Sequence, residues 1–343
     1  VRILDAKGRM QKARGGLFQS GWNLVQSPMV FRGRPGDYRY SVAKGPEYAT
    51  GRGDFTLDKR SQGYDVLRLP RHANLADEAW LGGDLLCSLS PEAAARWLAA
   101  EGLTMAVVVS SDRELKNGAG REKQGVRIEE AWIDSRSYWD KRQGSGLILH
   151  HWIPPAEVPE EVPSSRLLTM AKPKPNGPDS DRRVVDDLQV HAEIQDLTAR
   201  DVPLWLASNR IDSIQLLSTH LLPDATQRPR PQLVVDPDPG RFQGDRAAGQ
   251  AVEAIYWKTL EAGLRIPATA GSGFGKAATH LGYNRVYAAV ASSTRADWWQ
   301  AARQGRSFVT SGPLLRVQIN EQPPGAIFQA KRDQSIELDI ALT

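Results

Sequence analysis

The stretch SPEAAARWLAAEGLTMAVVVSS, residues 90–111, contains the unit from which the rest of the chain is read. Ser90 is a helix N-cap, Pro91 occupies the first helical position where its missing N–H costs nothing, and Glu92 puts an acid in the first turn. AAARWLAAE continues as an amphipathic helix until Gly102 stops it, and LTMAVVVSS follows as an apolar, β-branched run bounded by serines. The same order of helix, glycine or asparagine stop, and short strand returns three times further along. DVPLWLAS is followed by Asn209 and RIDSIQLLS, AVEAIYWKTLEA by Gly263 and LRIPATAGS, and RADWWQAARQ by Gly305 and RSFVTS. Such repetition predicts an α/β domain with a largely parallel sheet, either a barrel or a doubly wound sheet.

On the N-terminal side the texture differs. From Val1 to about Pro70 the chain alternates short β-like runs (VRILDAKGR, LFQSGWNLV, MVFRG, DYRYSVAKG, DFTLDK) with turn signals at Pro35-Gly36-Asp37 and Gly45-Pro46. A small β-sandwich is predicted there. Between the first two α/β units lie two further strand candidates, GVRIEEAWI and GLILHHW. A Pro-rich stretch from Pro154 to Pro178 follows, read as a surface excursion of the lid or loop type. Arg228 to Asp245 is a second irregular region. The segment Ser335 to Thr343 alternates like a strand, read as the start of a further β segment that is cut short. The expected domains are therefore residues 1–75, 76–315 and 316–343.

Composition narrows the function classes. The chain has 343 residues, 41% hydrophobic and 24% charged, and no apolar run approaches the roughly 18 residues of a membrane span. Its 44 basic residues exceed its 40 acidic ones by only 4, and the arginines are dispersed and not interleaved with aromatics, so no nucleic-acid partner is expected. A single cysteine, Cys87, excludes an internal disulfide and any multi-Cys zinc site. It is read as a buried small hydrophobe.

Functional groups in parallel α/β folds gather at the C-terminal ends of strands. That rule selects Ser110, Ser111 and Asp112, His150 and His151, His191 and Glu193, His220, and Gly271-Ser272-Gly273. Imidazole and carboxylate together suit zinc, manganese or iron, so the four histidines His150, His151, His191 and His220 with Glu193 form the candidate metal group. His191 and Glu193 share one face if extended, whereas adjacent His150 and His151 should point to opposite faces. Other readings are weaker. GSGFGKAA lacks the spacing of a phosphate loop, Ser272 is not in a nucleophile elbow, and Trp97, Trp298 and Trp299 read as core. Arg182-Arg183 and the Arg228/Arg230 pair read as solvated loop charge.

Several of these segments together resemble a known family. GYNRVYAAV (282–290), DWWQAARQGRSFVTSGPLL (297–315), YWKTLEAGLRIPATAGSG (256–273), GPEY (45–48), GDL (83–85) and DVPLWLASNRIDSI with His220 beyond it occur in the order found in the CehA/McbA-type, carbaryl-hydrolase-like metallohydrolases of the PHP superfamily. The resemblance covers nearly the whole chain. It implies an N-terminal β-sandwich, a PHP-type distorted β/α barrel, metal-dependent hydrolysis and export, and a chain that opens on Val1 is compatible with a removed leader. The family's His-x-His pair falls on Leu86 and Ser88, however, and the aspartate of its Gly-Ser-Asp falls on Gly273. Two functions are therefore expected as alternatives. One is a pseudoenzyme whose barrel is kept for binding or assembly, with a small molecule or a protein as its partner and no metal. The other is an active hydrolase of esters, amides or phosphoesters carrying a single zinc, manganese or iron on the surviving His191, Glu193 and His220, with His150 or His151 and Asp84 as further donors.

Overall fold

The computed structural model describes residues 1–25, 28–116, 126–128, 131–142, 145–173, 184–185, 188–224, 241–277, 279–329 and 331–343. The two arginine pairs at 182–183 and 228–230, and most of the irregular region 228–245, lie outside the described residues.

In place of a single sandwich, the N-terminal part forms two small sheets. Strands β1 (Arg2–Asp5), β4 (Gly36–Val42) and β5 (Gly51–Leu57) make an antiparallel sheet in the order β1-β4-β5, while β2 (Leu17–Gln19) and β3 (Trp22–Leu24) form a hairpin. Ser20 and Gly21 both have positive φ, the geometry a tight hairpin turn needs, so LFQSGWNLV folds back on itself. Ile3, Ala13 and Tyr38 form the small core, with Tyr38 stacked on Phe55.

The main body is one mixed sheet. In chain order its elements are β6 (Trp80–Cys87), α1 (Pro91–Glu101), β7 (Met105–Ser110), α2 (Asp112–Lys116), β8 (Val126–Ile128), β9 (Ala131–Asp140), β10 (Leu147–His150) and α3 (Ser164–Ala171). There follow a two-stranded ribbon of β11 (Val184–Val185) and β12 (Leu188–Gln189), then β13 (His191–Ile194), α4 (Val202–Ala207), β14 (Ser213–Leu217), α5 (Ala247–Glu261), β15 (Ala268–Ala270), β16 (Arg285–Ala289), α6 (Arg295–Arg303) and β17 (Ser307–Thr310). The strand order is β15-β14-β13-β10-β9-β7-β6-β16-β17, with β8 beside β9, and the two edge strands come into contact without a hydrogen-bonded ladder. The result is a nearly closed, barrel-like sheet in a mixed α/β protein.

The helix-stop-strand units form as the local signals require. Ser90 Oγ accepts from the Ala93 amide, Thr294 Oγ1 accepts from the Asp297 amide at the start of α6, and Gly102, Asn209, Gly263 and Gly305 all have positive φ. The expectation of a largely parallel sheet is corrected. Pairs β6/β7, β7/β9, β13/β14 and β14/β15 are parallel, but β10 runs antiparallel between β9 and β13, β16 runs antiparallel to β6, and β17 pairs antiparallel with β16 at the edge. GVRIEEAWI divides between two strands, β8 and the start of β9. The Pro-rich stretch is not wholly a surface loop either. Within it, α3 buries Ser164, Leu167, Leu168 and Ala171, because its apolar residues recur at helical spacing; residues 174–178 lie outside the described residues.

Strand alternation divides the core. Leu147, Leu149, Ala192, Ile194 and Ile214 face outward onto Leu167, Leu168, Trp205 and Val252 of the flanking helices. Ala106, Val108 and Ile133 face outward onto Trp97 and Leu98 of α1, where Cys87 is buried as expected and its thiol bonds the Val107 carbonyl at 3.3 Å. The inward side chains Met105, Val107, Val109, Ile148, Val286 and Ala288 meet Trp298 and Trp299 of α6. Helix α6 plugs the end of the barrel where the parallel strands begin. Trp298 donates to the Leu81 carbonyl at 3.0 Å, and a Cβ on Gly83 would lie 2.6 Å from the same indole, so only glycine allows it to seat. Beyond the barrel, β18 (Leu315–Ile319) pairs antiparallel with β19 (Leu338–Leu342), so the terminal strand folds back as a hairpin.

Candidate functional site

Two groups of polar residues occupy opposite ends of the barrel. At the closed end, around α6, the sequence brings three histidines to one indole. His150 ends β10 and His191 begins β13, and because those strands are antiparallel the two residues lie opposite one another. Both sit at the end where the parallel strands start, opposite to where the strand-end rule looked for function. His151 departs from the expected alternation. Its φ of 60° is left-handed, so it leaves the strand and swings back to the same side as His150. The ring centroids of His150, His151 and His191 lie 5.1, 4.6 and 5.1 Å from that of Trp299.

Glu193 is the centre of the polar network, with no exposed surface. Its Oε2 meets His150 Nε2 at 3.0 Å and accepts from Gln215 Nε2 at 2.7 Å; its Oε1 accepts from Ser213 Oγ at 3.0 Å and from Thr269 Oγ1. Four side chains thus fill both carboxylate oxygens. The second nitrogen of His150 meets Ser137 Oγ at 3.2 Å. Ser213, which donates to Glu193, accepts from His191 Nε2 at 2.7 Å; this leaves His191 Nδ1 buried without a partner. Burial and the neighbouring His150 drive the His191 pKa well below the ordinary histidine value, so the ring is neutral.

Beside this group, Asp134 forms its own buried cluster. It takes His151 Nε2 at 3.2 Å, Trp299 Nε1 at 2.7 Å and Arg295 Nε. Burial raises the Asp134 pKa, but His151, Arg295 and Trp299 outweigh it and the net shift is downward. The His151 pKa is lowered by burial, against the pull of Asp134 and of the Gln189 carbonyl 3.0 Å from its Nδ1.

His220 lies elsewhere. It follows β14 at the C-terminal end, whereas His191 begins the parallel neighbour β13 at the other, so the length of a strand separates them. Its Nε2 has no partner, and burial lowers its pKa to about 4. Of the three candidate ligands, the fold therefore joins His191 and Glu193 through Ser213 and keeps His220 apart. Asp84 is buried too, but it accepts the backbone amides of Leu86, Ser272 and Gly282 at 3.0, 2.9 and 2.7 Å, which makes it a clasp between distant turns.

The positions at which the resemblance expects ligands are neighbours in space. The Gly273 amide donates to the Leu86 carbonyl at 2.8 Å, and the Ser88 amide donates to the Phe274 carbonyl at the same distance. Leu86 is fully buried, and Gly273, with φ of 69°, would place a Cβ only 2.5 Å from the Thr219 methyl. At Gly273, therefore, a carboxylate side chain would need its neighbours to shift. The donors that are present do not fit an ion as arranged, because Glu193, His150 and His151 spend their lone pairs and protons on protein partners. Among the described residues no group of three or more His, Cys, Asp or Glu side chains is placed to hold a metal.

The opposite end of the barrel holds a cavity of about 480 Å³ lined by Trp139, Lys141, Gln195, Thr219, Leu222 and Lys276, among others. Every one of these follows or ends a strand at the C-terminal face, where α/β barrels place their sites. Sequence reading had selected that face but not these residues. Lys141 follows a ten-residue strand that turn and pattern signals do not reveal, and Lys276 stands in GSGFGKAA, which carries no motif of its own.

A hydrogen-bonded chain connects the two ends. Glu193 accepts from Gln215, whose Oε1 accepts from Ser218 Oγ at 2.8 Å. Gln195 Nε2 in turn donates to Ser218 Oγ at 3.0 Å and to Thr219 Oγ1 at 3.1 Å, in the wall of the cavity. Because two amides interrupt it, the chain positions side chains and does not relay protons.

Fold and site thus define a mixed α/β protein with a nearly closed sheet, a densely hydrogen-bonded polar cluster inside and an open cavity at the C-terminal mouth. No protein-family model, curated protein or solved structure matches the chain. Among the described residues no helix is long and apolar enough to cross a membrane.

Proposed function

We propose that this protein is a binding barrel of the PHP type, related to the carbaryl-hydrolase-like metallohydrolases, in which metal-dependent hydrolysis has been lost and the C-terminal mouth is retained to hold a small molecule. The observation that carries the proposal is the saturation of Glu193. A carboxylate already accepting from His150, Gln215, Ser213 and Thr269 has no lone pair free for a metal or for the proton of an attacking water. A catalytic zinc needs about three protein ligands, and Leu86, Ser88 and Gly273 supply none where the family keeps its own. The mouth cavity, by contrast, has the mix of apolar wall and few polar groups that small-molecule sites share.

Metal content by inductively coupled plasma mass spectrometry, on full chain purified without chelator, tests the loss. Wild type, Glu193→Gln and His220→Ala are all expected to carry no stoichiometric transition metal, and no ester, amide or phosphoester is expected to turn over with added Zn²⁺, Mn²⁺ or Fe²⁺. About one equivalent of metal in wild type that disappears in either variant, or robust metal-dependent turnover, overturns the proposal in favour of a hydrolase with a reduced ligand set.

A further inference from the structure

Among the described residues, the charges that line the mouth cavity are paired except one. Lys276 Nζ lies 2.5 Å from Glu114 Oε1. Asp140 is held bidentately by Arg142, with Nε and Nη2 each 2.8 Å from an oxygen, and also accepts from Ser164 Oγ at 2.8 Å. Lys141 alone faces the cavity with no carboxylate partner among the described residues. Its Nζ sits 3.4 Å from the centroid of the Trp139 ring, an arrangement that steadies an ammonium through the indole face while leaving its N–H donors unspent. Lys276 lines the same cavity but its charge is met by Glu114, so the charge left over in the described wall is the Lys141 ammonium. The remaining wall offers the Gln195 amide, the Thr219 and Ser145 hydroxyls, and the apolar surfaces of Trp139, Leu222 and Ala277.

Resting on the reading of the mouth as a binding site, we propose that this cavity takes a small organic anion whose carboxylate or phosphate headgroup is held by Lys141, with Lys276 beside it, and whose apolar body lies against Trp139 and Leu222. A cation would meet the uncompensated Lys141 ammonium, and a neutral molecule would leave that ammonium without a counter-charge. The volume of about 480 Å³ suits a single-ring compound.

The state of Lys141 gives a signature specific to that side chain. Burial lowers its pKa to about 8, with Glu114 raising it and Lys276 lowering it further. The charged groups facing it are Lys276 and Glu114 on one side and Asp140 with Arg142 on the other. An anion against Lys141 restores the ammonium, so binding near pH 8 takes up a proton, and affinity falls as the pH rises from 7 to 9.

The test is isothermal titration of the full chain with benzoate, phenyl phosphate and benzamide at constant ionic strength. At pH 7 one or both anions bind wild type and benzamide does not. Lys141→Met weakens the anion by about tenfold or more, the cost of one charge-assisted hydrogen bond, while Lys141→Arg retains most of the affinity. At pH 8 the heat varies with buffer ionisation enthalpy as proton uptake requires. Equal binding of benzamide and benzoate, unaltered anion affinity in Lys141→Met, or no heat from either anion at millimolar concentration overturns the inference. Should Lys141→Met fail to fold by circular dichroism, the wild-type pH profile and proton uptake decide, since their absence overturns it equally. Benzamide bound as well as benzoate leaves the mouth a binding site that does not read charge, whereas stoichiometric metal refutes the loss of hydrolysis without touching the anion result.

Discussion

At one end of the barrel, seven polar or aromatic residues (Asp134, His150, His151, His191, Glu193, Arg295 and Trp299) are packed so densely that nearly every donor meets an acceptor of the protein itself. At the other, Lys141 and Lys276 border about 480 Å³ of open space, and among the described residues the Lys141 ammonium lies against the Trp139 ring with no ion-pair partner. Both ends hold groups that chemistry could use. Residue type alone does not make a site, because a histidine or carboxylate whose hydrogen bonds are complete is structural, while a lysine left with unspent donors beside a cavity can bind. The closed end is the more suggestive in sequence and the less able in structure.

Substitutions at the closed end should therefore cost stability, and those at the mouth should cost binding. The largest loss is expected for Trp299→Ala, which removes the indole shared by three histidines together with the donor to Asp134. By analogy with other buried Trp truncations it should cost about 3–5 kcal/mol, read as a lower denaturant midpoint. Retained stability would mean that the cluster is not the keystone of that end. Glu193→Gln comes next, since the new amide presents donors to groups that were themselves donating; a loss of about 2–3 kcal/mol is expected by urea titration. If the substitution were neutral, Glu193 would not be saturated as described.

A pH titration sharpens the contrast further. The pKa of His220 lies near 4 in the folded protein, below the ordinary histidine value of about 6.5, because burial opposes the charged ring. Above pH 6.5 neither state binds the proton and no penalty arises. As the pH falls toward 4 the unfolded chain binds it first, so stability declines across that window. His191, shifted in the same direction, adds to the slope. Thermal unfolding between pH 7 and 4.5 should show the decline, and His220→Gln should flatten part of it; an unchanged slope would place His220 in contact with solvent. The smallest effect is expected for Lys276→Ala. Its ion pair with Glu114 is part-exposed, so stability should change by no more than about 1 kcal/mol, and a larger loss would show the mouth to be built as rigidly as the closed end.

The two ends also differed in how far they could be read in sequence. Trp298 and Trp299 were recognisable as core from their place in an amphipathic helix, and His191 and Glu193 as same-face neighbours from their spacing. That His150 and His151 would both reach Trp299 was not readable, since the left-handed turn at His151 breaks the two-residue period on which the expectation rested. The cavity was hidden for another reason. Lys141, Gln195, Thr219 and Lys276 are scattered along the chain with no motif between them, and each is unremarkable until its strand is given a direction.

What the sequence determined alone was local: the capped starts and left-handed stops of α1 and α6, the burial of Cys87, and the face that His191 and Glu193 share on β13. These features depend on interactions across a few residues, where capping, glycine conformation and side-chain period act directly. The tertiary structure decided that β10 runs antiparallel between parallel neighbours, which carries His150 and His191 to the closed end, and that β6, β9, β13, β14 and β15 release their following residues at a common mouth. Strand direction and neighbourhood are settled by pairing between segments far apart in the chain, such as β6 with β16, so no window of sequence contains them.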